Sequence, residues 1–388
     1  MTILFFYTLD FNTRRGGVEI VSNVLRREFA KKDVTVYYLS WYRSIIHAYL
    51  PNQKKCDCRE NRLFLEHFIR EKSIDIILNQ AALDIESSKL ILNLNVPSVK
   101  IISVFHNSLL ARANNFVISN RVFRKYSKIR ICRYLYSRNF FLFLVLFLYK
   151  LKYTSHYKRV NDRSDVIVFL SPSFFQEFYF FYKYADSSKL RAISNPLAFD
   201  YPINVIGEKK KQLLYVGRIN VFSKRVDLLL EIWKEVVGLY PDWSLKIVGD
   251  GEEKATVMKL AENMKLKNVY FEGYQNPIKY YEEAAIFCMT SAYEGFGMVL
   301  IEAMAYKTVP IAFNSFLSVT DIIVHNSNGI LVKPFDKNEY VNEICKLIED
   351  SSYREKLSRE AQRSVKRFAS DEIINDWFSL FANVIGND

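Results

Sequence analysis

Two carboxylates, Glu294 and Glu302, stand eight residues apart and flank the run Gly295-Phe296-Gly297-Met298. The apolar stretch Ile286 to Met289 just before them reads as a strand, so Glu294 falls on the loop that leaves it. Glycines permit a tight turn there, and a helix is expected to begin near Gly297 or Met298. The first turn of such a helix leaves the N–H groups of Gly297, Met298 and Val299 unpaired at the positive end of the helix dipole, which suits a phosphate. Glu302 lies about one turn further in. A carboxylate at that place can accept hydrogen bonds from the hydroxyls of a ribose that carries the phosphate. The plain alternative is a loop-to-helix junction with two surface glutamates.

The segment Glu294 to Glu302 resembles the E-x7-E signature of retaining glycosyltransferases with the GT-B fold, the large family known as group 1 or family 4. The resemblance implies that Glu294 faces the donor sugar and that Glu302 holds the nucleotide ribose. Upstream, Val216-Gly217-Arg218 ends one strand-like run and Lys224-Arg225 opens the next helical one. A departing nucleoside diphosphate develops negative charge that some group must neutralise. Many sugar transferases use an Asp-x-Asp pair and a divalent ion for this; the chain contains no Asp-x-Asp. Arg218 and Lys224 can do the work without metal, and the family carries Gly-Arg…Lys at this place. Here Arg225 stands where the family commonly has Gly, and the Arg-to-Lys spacing is about one residue longer than the family's.

Further matches surround these. Gly249-Asp250-Gly251 resembles the family's turn beside the nucleotide base, although glycines also serve simply to turn a chain. Phe271-Glu272-Gly273-Tyr274 resembles its Phe-x-Gly segment, and Tyr274 suits either stacking on the base or a plain turn. Gly16-Gly17-Val18 follows the first strand and resembles the glycine-rich loop that approaches donor diphosphate and acceptor. His106, after the apolar strand Val99 to Phe105, matches the histidine near the transferred sugar; a satisfied structural histidine is the alternative. Asn314 to Asp321 departs from the family's Gly-Gly-x-x-Glu, while Asn328-Gly-Ile-Leu-Val332 matches its Asn-Gly-x-Leu-Val strand.

Positioning these residues requires two α/β series. Strand-like runs at 2–8, 34–39, 74–79, 98–104 and 166–170 alternate with helical patterns such as Val18 to Lys31 and Arg59 to Lys72. The pattern breaks near Ser194-Asn195-Pro196. A second series follows: strands at 212–216, 244–249, 268–272, 286–290 and 309–312, with helices at 224–239, 252–265, 276–284 and 298–306 between them. Helices at 336–350, 352–367 and 370–385 close the chain. The predicted architecture is two Rossmann-like α/β domains facing an interdomain cleft, with ligand sites at the carboxyl ends of both sheets. Residues 1–195 form the acceptor-binding domain, 196–211 a linker and 212–370 the nucleotide-sugar domain. Residues 371–388 form a last helix that can cross back to the first domain.

Composition bounds the rest. The chain has 388 residues, half of them apolar, with only 12 Gly and 9 Pro, and reads as globular. Its five cysteines are odd in number and scattered, and Cys56-x-Cys58 lacks partners for a zinc site, so reduced thiols in a cytosolic protein are expected. No leader is expected before Thr2-Ile-Leu-Phe-Phe-Tyr7, which looks like a first strand. Net charge is +12, which points to an anionic partner.

Much of that charge is local. Residues 112–163 hold thirteen Lys or Arg against one acid, Asp162, and include the ten-residue apolar run Phe140 to Tyr149. That run is about half the roughly 20 residues needed to span a bilayer. Apolar residues with basic flanks suit a helix lying at an anionic membrane surface; the alternatives are a core helix, or cations that bind the pyrophosphate of the acceptor. Nucleic acid is not expected.

The combined expectation is a metal-independent, retaining hexosyltransferase with no cofactor. It takes a nucleotide-sugar co-substrate, a UDP-sugar being favoured, and a saccharide acceptor, which the membrane reading implies is lipid-linked. The setting implied is surface polysaccharide or glycan assembly, in the cytoplasm on the inner face of the cell membrane. Alternatives in other classes are a nucleotide-sugar epimerase or phosphorylase on the same fold, a silent subunit of a membrane glycan complex, and a nucleic-acid binder.

Overall fold

The computed structural model describes residues 1–9, 17–43, 48–110, 139–205 and 207–386, and the side chains of 139–142 are not part of the description. Gly16 and residues 112–138 of the basic stretch lie outside the described residues. The described residues divide into two compact units, those of 1–110, 143–199 and 370–386, and those of 139–142 and 200–369.

The first unit is built on β1 (Thr2–Tyr7), β2 (Thr35–Ser40), β3 (Ala48–Tyr49), β4 (Ile76–Asn79), β5 (Lys100–Phe105), β6 (Val166–Phe169) and β7 (Leu190–Ala192). Among the described residues these form one seven-stranded sheet in the order β3-β2-β1-β4-β5-β6-β7. Every pairing is parallel; Phe5, for example, lies opposite Tyr38 on one side and Leu78 on the other. Parallel strands covered on both faces read as unbroken apolar runs, and Ile3 to Phe6 and Val166 to Phe169 are buried throughout. The helix Gly17–Ala30 covers one face and itself receives the last helix, Ser370–Ile385, through Phe29 against Phe378 and Phe381.

The second unit carries β8 (Lys210–Val216), β9 (Ser244–Val248), β10 (Val269–Gly273), β11 (Ala284–Met289), β12 (Val309–Phe313) and β13 (Ile330–Val332), in the order β10-β9-β8-β11-β12-β13. This sheet is also parallel throughout. Its core joins Leu213, Leu245, Ile286 and Ile311 of the strands to Trp233 and Ile344 of the flanking helices. In both sheets the strand order reverses once, between β1 and β4 and between β8 and β11. Loops that leave the carboxyl ends of such a strand pair diverge, and ligands bind in the crevice they leave.

Several boundaries differ from the sequence reading. The expected strand 286–290 begins at Ala284, and the expected helix 224–239 begins at Val226, because Arg225 takes a left-handed conformation with φ of 52°. The expected helices 252–265 and 276–284 are shorter, Lys254–Asn263 and Ile278–Glu283. The short edge strands β3 and β7 were not foreseen; two and three residues carry no readable alternation. Among the described residues no helix is long and apolar enough to cross a membrane.

Candidate active site

At the carboxyl ends of β8 and β11 two loops are stitched together. The amide of Ala292 donates to Ser223 O at 2.7 Å, and Thr290 Oγ1 donates to Lys224 O at 2.9 Å. Between them Lys224 Nζ meets Glu294 Oε1 at 2.5 Å, and Ser291 Oγ donates to the same oxygen at 2.7 Å. Both side chains of the ion pair are largely buried, 23% exposed for Lys224 and 13% for Glu294. Oε1 is thus anchored twice, which fixes the carboxylate and sets the cation beside it. Arg218 lies exposed on the same β8 loop, close enough to Tyr293 to influence its phenol electrostatically.

Gly297 caps the helix Met298–Ala305 with φ of 99°, a left-handed conformation that glycine adopts without strain. Met298 and Val299 occupy the first turn, where the N–H groups have no acceptor within the helix. Ser318 Oγ donates to Phe296 O at 3.2 Å and holds the turn from below. On the next turn Glu302 Oε2 accepts from Tyr281 Oη at 2.8 Å. Burial raises the pKa of Glu302, and the Tyr281 hydroxyl partly offsets this. Tyr281 is itself fixed, since its carbonyl accepts from Lys209 Nζ and Thr308 Oγ1, each at 2.7 Å.

The ends of β8, β9 and β10 meet backbone to backbone. Gly217 N donates to Val248 O at 3.0 Å and Gly249 N to Gly273 O at 2.7 Å. A Cβ at Gly249 would stand 1.9 Å from Gly217 O, so packing alone demands glycine there. Tyr274 follows directly and is 77% exposed. Arg225, with its left-handed backbone, pairs with Asp227 at 3.2 Å and lies over the ring of Phe335 at 5.5 Å. Those contacts belong to packing of this unit, and they account for a bulky residue where glycine would be the easier choice.

In the first unit His106 follows β5 and Gln80 follows β4. His106 Nε2 donates to Gln80 Oε1. His106 Nδ1 and Gln80 Nε2 are buried and have no hydrogen-bond partner among the described residues. Burial pushes the His106 pKa down from 6.5 to about 4, so the ring is neutral near pH 7 and its Nδ1 lone pair is an acceptor. Beyond it, Glu177 accepts from Ser108 Oγ at 2.7 Å and from Leu109 N at 2.6 Å, which clamps the chain leaving β5. Gly17 begins its helix, and a Cβ there would meet nothing within 4 Å.

The structure pairs Lys224 with Glu294, sets Gly297, Met298 and Val299 at the start of the helix that follows, places Glu302 one turn further on against Tyr281, and puts Arg218 on the same loop as Lys224, all in the second unit. Gly249 and Tyr274 lie at the ends of neighbouring strands. His106 and Gly17 belong to the first unit. Sequence reasoning missed Ser291, Tyr281, Gln80 and Glu177. Ser291 stands three residues before Glu294 and was within reach; Glu177 is a lone acid among the aromatics Phe174 to Phe181, a signal of its own. Tyr281 and Gln80 gave none, because their partners are distant in sequence. His156, unremarkable in sequence, is buried and bonded to Ala82 O at 2.9 Å. Asn328 closes its own turn, accepting from Val324 N at 2.7 Å. Cys56, Cys58, Cys288 and Cys345 are free thiols. Among the described residues no three His, Cys, Asp or Glu are grouped to hold a metal ion.

Comparison with known proteins bears on the family and the fold. Residues 199–364 match the family model described as glycosyl transferases group 1. An uncharacterised glycosyltransferase of Haemophilus influenzae is 31% identical over 194 residues, which is 49% of this chain and 54% of that protein. A poly(ribitol-phosphate) alpha-N-acetylglucosaminyltransferase of Staphylococcus aureus is 31% identical over 171 residues, 43% of this chain and 35% of that one. The chain thus spans about half or less of the length of these relatives. The crystal structure of Anabaena HepE in complex with UDP and glucose superimposes with a TM-score of 0.71 over 99% of this chain and 100% of that one, at 16% identity. Residues 199–364 thus resemble the group 1 glycosyl transferases, and the two parallel-sheet α/β domains have the GT-B fold.

Proposed function

We propose that this chain is a retaining, metal-independent glycosyltransferase that moves a hexosyl unit from a nucleotide-sugar, favoured as a UDP-sugar, to a saccharide acceptor. The observation that carries the reading is the second-unit arrangement: the Lys224–Glu294 pair, the Gly297 helix start and half-buried Glu302 on the following turn. Relatives support the setting. One is named for adding N-acetylglucosamine to a poly(ribitol-phosphate), and one structure of the same fold holds UDP and glucose. The acceptor proposed here is lipid-linked and the setting surface-glycan assembly.

In this reading the N–H groups of Met298 and Val299, with Arg218 and Lys224, hold the donor diphosphate. Glu302 takes the ribose hydroxyls through the oxygen that Tyr281 leaves open, and exposed Tyr274 flanks the base. Glu294, anchored through Oε1, keeps Oε2 for the donor sugar. The acceptor hydroxyl attacks the anomeric carbon from the face the diphosphate leaves. The new glycosidic bond forms as the bond to the phosphate oxygen breaks, and that oxygen takes the hydroxyl proton. Cations at the phosphates act on charge that grows as the bond breaks, which is where electrostatic stabilisation is most effective. His106 offers a neutral Nδ1 to a hydroxyl and adds no charge. Gly17 begins the first helix of the first unit.

The test is thermal stabilisation by UDP, GDP and ADP with a chelator present. A ligand at about 100 times its Kd stabilises by roughly 2.7 kcal/mol. Stabilisation by UDP, lost in Glu302→Ala and weakened in Lys224→Ala, is the expected result. A folded protein that none of the three nucleotides stabilises would sink the proposal.

A further inference from the structure

The helix Asn139–Arg163 has two different halves. Its second half is built into the first unit: Tyr153, His156, Tyr157 and Val160 are buried, and the ring of Tyr157 lies 4.5 Å from that of Phe181. Among the described residues the first half has no such cover. Phe143, Leu144, Phe147, Leu148 and Leu151 are 40% to 65% exposed, and Val145 and Leu146 are only half-buried. A helix apolar all round is ordinarily buried in protein or in lipid. Five large apolar side chains on successive turns make one contiguous face, the kind of exposed patch that marks an interaction site.

Charge identifies the occupant. Lys150 lies over the ring of Phe180 at 4.9 Å, Lys152 over Tyr153 at 5.5 Å, and Lys183 over Tyr184 at 4.7 Å. Tyr184 is 72% exposed on the loop that follows Phe181. The helix holds one acid, Asp162, near its far end. We propose that this face docks the chain on an anionic lipid bilayer, with Phe143, Phe147 and Leu151 entering the acyl boundary and Lys150, Lys152 and Lys183 meeting lipid phosphates. Interfacial helices bind through apolar area together with attraction to anionic headgroups, and tyrosine favours the headgroup level. A second copy fits less well, because a self-complementary contact would gather the lysines of both copies into one interface. Nucleic acid does not use an apolar face of this kind.

Flotation of the full chain with phosphatidylcholine vesicles, and with vesicles that also contain phosphatidylglycerol, tests this. The expected result is binding to the anionic vesicles that weakens at high salt. Phe147→Ser with Leu151→Ser should lower partition by on the order of tenfold for each residue. Lys150→Glu with Lys152→Glu should remove the preference for anionic vesicles. UDP stabilisation should be unchanged in both variants, so failure here leaves the transferase reading untouched. Should the serine variant fail to fold, Phe147→Trp gives an independent measurement, since its emission should shift to the blue on anionic vesicles. The proposal is overturned if the wild type floats with neither vesicle, if the variants float as it does, if the tryptophan emission stays put, or if the wild type is an oligomer that the serine variant converts to monomer.

Discussion

At the scale of single residues, function and stability pull against each other at Glu302. Its residue is half-buried with Tyr281 Oη as its hydrogen-bond donor, and the loss of solvent around the carboxyl raises its pKa above the ordinary 4.5. The folded chain therefore holds its proton to higher pH than the unfolded chain does. Stability from this group is fully present below the unfolded value and is lost as pH rises through the folded one. Glu302→Gln keeps an acceptor for Tyr281 and removes that loss. It should raise the melting temperature near neutral pH by roughly 2–4 °C, taking about 1 kcal/mol for the gain. The gain should vanish toward pH 4.5, and UDP stabilisation should be lost across the whole range. Melting curves over that range, with and without UDP, check both halves.

His106 works in the opposite sense. Its folded pKa is about 4 against 6.5 for a free ring, so between these values the unfolded chain binds more protons. Stability should therefore fall on acidification across that window, by roughly 3 kcal/mol in all. His106→Asn should flatten the slope there and leave it unchanged above about pH 7. Urea midpoints measured across the window decide it; an unaltered slope would mean that the ring already finds a charged partner when protonated.

At the scale of elements, the chain's readable features are those with local cause. The strands are apolar runs because both faces of each sheet are covered, as in Ala284–Met289, where every residue is buried. Glu294, Gly297 and Glu302 were legible because a loop, a cap and a helix turn are local in sequence. Arg225 was only half legible. Its departure from glycine was visible, but its left-handed φ and its pairing with Asp227 were not, since pairing and stacking on Phe335 arise only in the fold. Tyr281 and Gln80 reach their partners across 21 and 26 residues, and no periodicity encodes that. The Gly249 turn gives the sharpest element-scale test. Gly249→Ala would put Cβ 1.9 Å from Gly217 O at a φ of 145°, and neither backbone can retreat without breaking the Gly217–Val248 bond. The expected loss is about 3 kcal/mol or more, read as a lowered melting temperature of the second unit, whereas Gly238→Ala, in open space on a helix, should be neutral or slightly stabilising.

At the scale of the whole molecule, chain order and unit order differ. The first unit is completed by the last helix, Ser370–Ile385, which buries Ile373, Ile374, Trp377, Leu380, Phe381 and Val384. Full burial of an apolar side chain of this size contributes about 1.5–3 kcal/mol. Six of them together amount to on the order of 10 kcal/mol, similar to the entire stability of a typical domain. A fragment of residues 1–199 should therefore lack a cooperative unfolding transition and expose apolar surface around Phe29, the ring that Phe378 and Phe381 cover. Adding the peptide 370–386 in trans should restore the transition, because the missing helix is a contiguous amphipathic piece. The peptide carrying Trp377→Ala and Phe381→Ala should not restore it. A fragment 1–199 that unfolds cooperatively unaided would mean that the terminal helix is an accessory to the first unit. Since that helix is synthesised after the second unit, the same experiment also tells whether the first unit can fold ahead of the second.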